Sequence, residues 1–379
     1  MDKKNKNPNV PNLRFNNNPY KKYNLYEFAT RVTRKNKDNV SNLPLTISAQ
    51  YGLVDQVSFF NKTVASKDMS GYYLLKNGEF AYNKSYSNDY PWGAIKRLDL
   101  YNMGCLSTLY ICFKSNDNIV NSNYLVHYFE SPKWHKQVAD IAGEGARNHG
   151  LLNIAVNDFF NTKHAVPTIE NQIKIARFLD LIEERIQTQI KIIEDYKVLK
   201  KKISKQVIGS QKPNTHIYEC LENNSSSSKE SDFDEYTEGQ FPIYGANGVI
   251  KHINSYLIDI PSISIVKDGA GVGRTRFLYG KYTVIGTLNY LTSKNGYDLL
   301  YLYYALDNLD FTKYIVGSGI PHIYFKDYKH EMIYIPKDEK TINKIVRCLS
   351  SLDLLIHNEQ NLLLYLTKQK EYLLNNMFI

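Results

Sequence analysis

Three stretches of this chain set polar side chains beside glycine in ways that could do chemistry. In residues 267–276, Lys267, Arg274 and Arg276 flank Gly269, Gly271 and Gly273. Successive backbone amides in such a bend, with cations beside them, could hold a phosphate; a tight hairpin with solvated charges accounts for the same residues equally well. In residues 318–326, Ser318, Gly319, His322, Tyr324 and Lys326 follow a glycine pair, Gly317 and Gly319. That placement suits contact with bases or with a phosphate backbone, against which stands a His322 satisfied within the fold. Arg147, Asn148 and His149 follow Gly145, and Arg and Asn can read guanine and adenine through paired hydrogen bonds. Lys84, Lys96 and Arg97 add cations to the same half of the chain, and Gln50 and Tyr51 beside Gly52 are weaker candidates. Surface polarity explains these nearly as well.

Signals of an enzyme are present only in fragments. The bend at Gly269–Thr275 is one residue short of a nucleotide phosphate loop, and Arg274 stands where lysine is needed. Asn18-Pro19-Tyr20 is part of the tetrapeptide of adenine methyltransferases, without its second proline and without a glycine-rich strand turn before it. Asp259 and Asp268 lack the paired lysine spacing of a nuclease site. The four cysteines, Cys105, Cys112, Cys220 and Cys348, have neither short paired spacing nor histidines placed as metal ligands, and read as reduced and structural. We find no catalytic constellation, no cofactor site and no metal site on this chain. A net charge of +9 favours a polyanionic partner. No apolar signal core or membrane-length run occurs, so the expected location is the cytoplasm, with no membrane partner.

The elements that would position these residues are written twice. A proline leads into a heptad-patterned helix at 167–209 and again at 336–379. With a shift of 170 residues, Leu179, Ile182, Ile186, Gln189, Ile193, Tyr196, Lys200, Ile203 and Val207 align with Leu349, Leu352, Ile356, Glu359, Leu363, Leu366, Lys370, Leu373 and Met377. The polar exceptions coincide, and chance amphipathicity does not repeat its own defects, so the segments read as an internal duplication. A parallel, in-register pair would set Lys200 against Lys370; an antiparallel pair brings Gln189 opposite Lys370 and Lys200 opposite Glu359, and buried polar seam residues fix register in this way. The expected fold is therefore α+β, with a pseudo-two-fold repeat in which a long antiparallel two-helix coiled coil separates two mixed blocks. Thr168 and Asp338 are expected to cap the helices. The expected order is a disordered segment 1–18, a first block 19–166, a helix 167–209, a second block 210–335 and a helix 336–379. Within the blocks the pattern predicts strands at 74–75, 80–82, 109–113, 263–266, 282–285 and 333–335, helices over 122–139 and 301–309, and a flexible surface loop at 223–231.

This order resembles the DNA-specificity subunit of type I restriction-modification systems, over nearly the whole chain. The resemblance is carried in the second block by Phe241 to Gly248 (FPIYGANG), Ile263 to Thr275 (ISIVKDGAGVGRT) and Gly317 to Tyr328 (GSGIPHIYFKDY). It is looser in the first, at Pro11 to Phe15, Phe80 to Lys84, and Glu170 with Gln172; in the second helix that pattern survives only as Glu339 and Thr341. It implies a non-catalytic reader of a bipartite site on double-stranded DNA, whose two target-recognition domains carry the contacts named above. It also implies docking of two methyltransferase subunits, which bind S-adenosylmethionine and flip the target adenine, and through them of two restriction subunits using ATP and magnesium; whether restriction subunits are present stays open. Arg177, Arg185, Lys191, Lys201 and Lys205 on the first helix are candidate docking residues, or a solvated face. The rival readings are a methyltransferase or nuclease with its own active site, and a coiled-coil scaffold that binds no DNA.

Overall fold

Short alternating runs fold as short strands and the heptad segments as long helices, in a computed structural model that describes all residues except 1–10, 16–18, 49–50, 63, 87–89, 143–149, 234–238 and 295. Two compact units result, one of Met1–Gln189 with Leu362–Ile379 and the other of Ile190–Asn361.

Unit 1 opens with β1 (Lys21–Asn24), the single turn α1 (Leu25–Phe28) and β2 (Ala29–Arg31). A capping box starts α1, the Asn24 N–H donating to Glu27 Oε2 at 2.6 Å, while Leu25 and Phe28 point into the core. There follow the hairpin β3 (Leu45–Ser48) and β4 (Gly52–Asp55), α2 (Gln56–Phe60), β5 (Tyr73–Lys76), β6 (Phe80–Asn83), β7 (Ala94–Arg97), β8 (Met103–Leu106) and β9 (Ile111–Ser115). The main sheet runs β2-β9-β6-β7, antiparallel throughout, and β5 pairs with β8. The helix expected over 122–139 is two helices, α3 (Ser122–Glu130) and α4 (His135–Ile141), with a 3-10 turn at Pro132–Trp134 between them. Pro132 has no N–H to continue α3, and Ser131 turns the chain by donating its hydroxyl to the Tyr128 carbonyl at 2.6 Å. The break drops Trp134 into the core, where its indole N–H donates to the Phe129 carbonyl at 2.9 Å. After α5 (Val156–Phe160), β10 (Lys163–Val166) returns to pair antiparallel with β1, and the chain passes into α6 (Ile169–Ser204). Ile175, Ala176 and Leu179 of α6 share this core with Leu373, Leu374, Met377 and Phe378.

Of the segment expected to be disordered, 1–10 and 16–18 lie outside the described residues, but 11–15 are held. The Leu13 N–H donates to the Asn376 carbonyl at 2.9 Å, and Phe15 meets Phe178 edge to face at 6.0 Å. Tyr20 is buried, its hydroxyl donating to the Met377 carbonyl.

Unit 2 repeats the opening. β11 (Thr215–His216), the turn α7 (Ile217–Cys220) and β12 (Leu221–Ser225) match β1, α1 and β2, with His216 and Glu219 closing the capping box. Tyr26-Glu27 and Tyr218-Glu219 are the same dipeptide, displaced by 192 residues rather than 170, because the first block is longer. Next come β13 (Phe241–Gly245), β14 (Gly248–Ile253), β15 (Ser262–Val266), β16 (Thr275–Leu278), β17 (Thr283–Val284), β18 (Leu288–Ser293), α8 (Leu299–Leu306), α9 (Phe325–Tyr328) and β19 (Met332–Ile333). The sheets run β12-β18-β15-β16 and β14-β13-β17, and β19 pairs with β11 as β10 does with β1. The helix expected at 301–309 thus starts and ends earlier. The loop expected at 223–231 is also corrected, since Asn223, Asn224 and Ser225 pair with Leu291, Tyr290 and Asn289 as an edge strand. Polar residues are at home on an edge, so composition alone misleads there. Finally α10 (Glu339–Met377) begins with Asp338, whose carboxylate accepts the Thr341 N–H at 2.9 Å.

In each unit α6 and α10 run antiparallel, as expected, but in a different register. Within unit 1, Lys370 Nζ meets Glu183 Oε2 at 2.6 Å; within unit 2, Lys200 Nζ meets Asp353 Oδ1 at 2.6 Å. The shift of 170 maps one pair onto the other, Glu183 onto Asp353 and Lys200 onto Lys370. The partners anticipated for the lysines, Gln189 and Glu359, are therefore replaced by carboxylates on the flank of the seam. A lysine stem can lie along apolar surface and carry its charge to the rim, where water still reaches the pair. Of the seam positions, Leu179, Ile186, Gln189, Ile193, Leu349, Leu352 and Ile356 are buried, and Ile182, Lys200, Glu359, Leu363 and Lys370 half-buried. Burial pushes the Glu183 pKa up, but its hydrogen bonds from Lys370 and Gln187 outweigh that and hold the carboxyl below its ordinary range.

Candidate nucleic-acid interface

Unit 2 brings together the two glycine-rich stretches that sequence placed fifty residues apart. Asp268 and His322 bridge antiparallel, the Gly269 N–H donates to the Pro321 carbonyl at 2.9 Å, and the Ile323 N–H to the Lys267 carbonyl at 2.9 Å. Gly269, Gly271 and Gly273 all have φ near +85°, as the turn between β15 and β16 requires. The amides of Gly269, Val272, Gly273 and Arg274 all donate to carbonyls within unit 2. An anion here would therefore rest chiefly on side chains. Arg274 is exposed above Gly271, while Arg276, half-buried on β16, sits 5.9 Å from the Tyr244 ring centroid. Gly317 admits no side chain, since a Cβ would lie 2.4 Å from the Ile320 carbonyl oxygen. Ser318 and Gly319 stand exposed at that loop's tip. The His322 ring contacts Tyr324 edge to face at 5.0 Å, and Lys326 Nζ lies 5.1 Å from the Tyr324 ring.

Of these residues Lys267, Asp268, Ile323, Tyr324 and Lys326 line a cleft of about 590 Å³ whose other wall is formed by β12 and β18, carrying Asn223, Ser225 and Asn289. Sequence reasoning missed that wall by assigning Asn223 to a loop. The available signal was the strand pattern of Leu288, Tyr290 and Leu291, which needs a partner on each side.

Unit 1 gathers its predicted residues less well. Lys96 is paired with Glu130, and Arg97 donates to Asp99, Ser122 and Asn123, tying β7 to the start of α3. Both are engaged within the fold. Lys84 is half-buried, and burial pushes its ammonium below the ordinary lysine range. Arg147, Asn148 and His149, with Gly143 and Gly145, lie outside the described residues, as do Gln50 and Asn18; Tyr51 is exposed beside Gly52 at φ +81°. Cys105, Cys112 and Cys220 are buried free thiols, burial pushing Cys112 up to about 12, whereas Cys348 is exposed. Along the helices Arg177, Arg185, Lys191, Lys201 and Lys205 are exposed, interleaved with exposed Leu181, Val198 and Leu199 on α6 and Leu354, Leu364 and Tyr365 on α10. Among the described residues no helix is long and apolar enough to cross a membrane.

Comparison with known proteins agrees with this architecture. The S subunit of a type I restriction-modification system from M. genitalium superposes with TM-score 0.61 at 17% identity, covering 98% of this chain and 99% of its own. A chain solved in work on complex assembly and conformational transition of the type I R-M system gives TM-score 0.56 at 17% identity, covering 94% and 96%. No curated protein matches the sequence. A family model described as the type I restriction modification DNA specificity domain matches residues 215–372, which include the cleft and most of α10. Residues 215–372 thus match the model of the type I restriction modification DNA specificity domain, and the chain shares, over nearly its whole length, the fold of the S subunit it superposes on.

Proposed function

We propose that this chain is the non-catalytic, sequence-specific DNA reader of a type I restriction-modification complex. Each unit's block reads one half of a bipartite duplex target, combining positioning contacts to phosphates with contacts to base edges. The exposed faces of α6 and α10 dock two methyltransferase subunits, and restriction subunits, two in number, join through them. S-adenosylmethionine is bound by the methyltransferase, and ATP with magnesium by the restriction partner. The observation that supports this best is a duplicated frame around unlike contents: the same capping-box turn, closing strand pair, Lys–carboxylate pair and four-stranded antiparallel sheet order (β2-β9-β6-β7, then β12-β18-β15-β16) recur, whereas the smaller sheets, β3-β4 and β5-β8 against β14-β13-β17, differ. Duplicated frames with different blocks suit a target whose halves differ.

Expression with the partner methyltransferase, followed by mapping of methylated adenines across a genome, is expected to yield a split motif with an unspecified gap. Exchange of residues 214–335 for the corresponding block of another reader is expected to change one half of that motif and leave the other intact. Methyl transfer by the pure chain from labelled S-adenosylmethionine to DNA would overturn the reading. So would DNA affinity indifferent to salt, because phosphate contacts make binding fall steeply as salt rises.

A further inference from the structure

The cleft in unit 2 is lined by a sheet face that changes character along its length. The register sets Asn223 beside Leu291 and Ile263, then Ser225 beside Asn289 and Ile265, so all six side chains share one face. At one end Ile263, Ile265 and Leu291 pack into the main core of the unit. At the other, amides replace aliphatics and line the cleft. Asn224, on the opposite face, donates to Thr292 Oγ1 at 3.1 Å, but among the described residues no group donates to buried Asn223 Oδ1. A buried amide oxygen without a partner is costly unless a ligand supplies one. The lining from residues 323–329 carries exposed Tyr324 and Lys326, whose ammonium lies 5.1 Å from the Tyr324 ring, with half-buried Lys329, and Lys267 and Asp268 complete the cleft. Amides and cations thus line one cleft, the two kinds of group that base edges and phosphates require.

We propose that Asn223 and Asn289 are the base-reading groups of unit 2, recognising an adenine in its half-site through the donor–acceptor pairing an amide can make, and that Lys326 and Lys329 hold the adjoining phosphates. This rests on the DNA-reading function above and assigns it to a different wall from the glycine bend at 269–273, most of whose amides are spent within the fold.

The test uses the full chain expressed with its methyltransferase partner. Asn223→Ala and Asn289→Ala are each expected to make one position of one half-motif degenerate, lowering discrimination there by roughly ten- to a hundredfold, with the other half unchanged. The isosteric Asn223→Asp and Asn289→Asp are expected to shift preference at that position from adenine towards cytosine, whose amino group a carboxylate accepts. The double variant Lys326→Ala/Lys329→Ala should weaken binding at all sites alike and reduce the salt slope by about two, leaving the motif intact. An unaltered motif in amide variants that melt at the wild-type temperature would overturn the assignment. If an alanine variant melts early, the aspartate variant at the same position decides. A wild-type complex that yields no split motif would instead bring down the functional reading itself, and the assignment with it.

Discussion

Between pH 7 and pH 4.5 the first unit is expected to lose roughly 3 kcal/mol of stability through one side chain, His164. Its ring is buried in the aromatic core, between Phe28 and Tyr128. Thr162 spends its hydroxyl hydrogen on the Phe159 carbonyl at 2.7 Å, so its oxygen accepts from His164 Nε2 at 2.8 Å; His164 Nδ1 then accepts from the Tyr128 hydroxyl at 2.8 Å. Both ring nitrogens are satisfied with the imidazole neutral, Nε2 donating and Nδ1 accepting. Burial lowers its pKa to about 3, against an ordinary 6.5. Below pH 6.5 the unfolded chain takes up a proton that the folded chain refuses until about pH 3, so stability is full above 6.5 and falls by about 1.4 kcal/mol per pH unit in between. His127, also held low by burial despite Asp180 at 2.7 Å, contributes in the same direction. Urea titrations at several pH values, with His164→Asn as the comparison, check this. Carboxylates titrate in both proteins, so the difference between their pH slopes belongs to the histidine. Equal slopes would show that His164 is charged in the folded state.

Lys200→Glu is expected to destabilise the second unit by about 2–3 kcal/mol, less than the loss of a fully buried pair because Asp353 is partly solvated. The lysine side chain is 13% exposed and the aspartate's 39%; Asp353 also accepts the Tyr304 hydroxyl at 2.8 Å, and the ammonium lies 5.1 Å from the Tyr304 ring. Glutamate there would set two carboxylates together over an electron-rich ring face, a doubly unfavourable arrangement. Adding Asp353→Lys is expected to restore about half of the loss, on the order of 1 kcal/mol, since the pair is re-formed but the ring contact is not. Adding Glu359→Lys, the partner suggested by heptad phasing, is expected to restore nothing. Urea denaturation of the three proteins separates the registers, and rescue by position 359 would refute the one described here. The matching Lys370→Glu change in unit 1 should cost less, about 1 kcal/mol, because Lys370, at 24% exposed, is better solvated than Lys200.

What could be seen in advance divides along physical lines. Periodicity over forty residues fixes helices firmly, and α6 and α10 begin and end within a few residues of the bounds read from their prolines and caps. Their antiparallel sense was also legible, because like charges in a parallel seam are unfavourable. Their register was not, because lysine's reach lets it choose among several carboxylates, and the choice depends on flanking geometry. Local rules competed again at Pro132, where the apolar pattern runs on but the backbone cannot, and at Asn223, where composition spelled a loop and pairing with β18 made a strand. The candidate contacts fared unevenly for a related reason. Glycine requirements at 269–273 and 317 are backbone facts readable from sequence, whereas the employment of Lys96 and Arg97 within the fold depends on neighbours contributed by α3.

In each unit the strand leading into the variable block is hydrogen-bonded to the strand leading out, β1 to β10 and β11 to β19. The chain between thus enters and leaves each block side by side, and the block also packs on the helices through a shared core. Loop-closure entropy grows only with the logarithm of length, so the first insert, about a fifth longer than the second, costs merely about 0.2 kcal/mol more. The scaffold hardly senses the size of what it carries. A lineage could acquire a new block by recombination at these strands and keep its helices as they are.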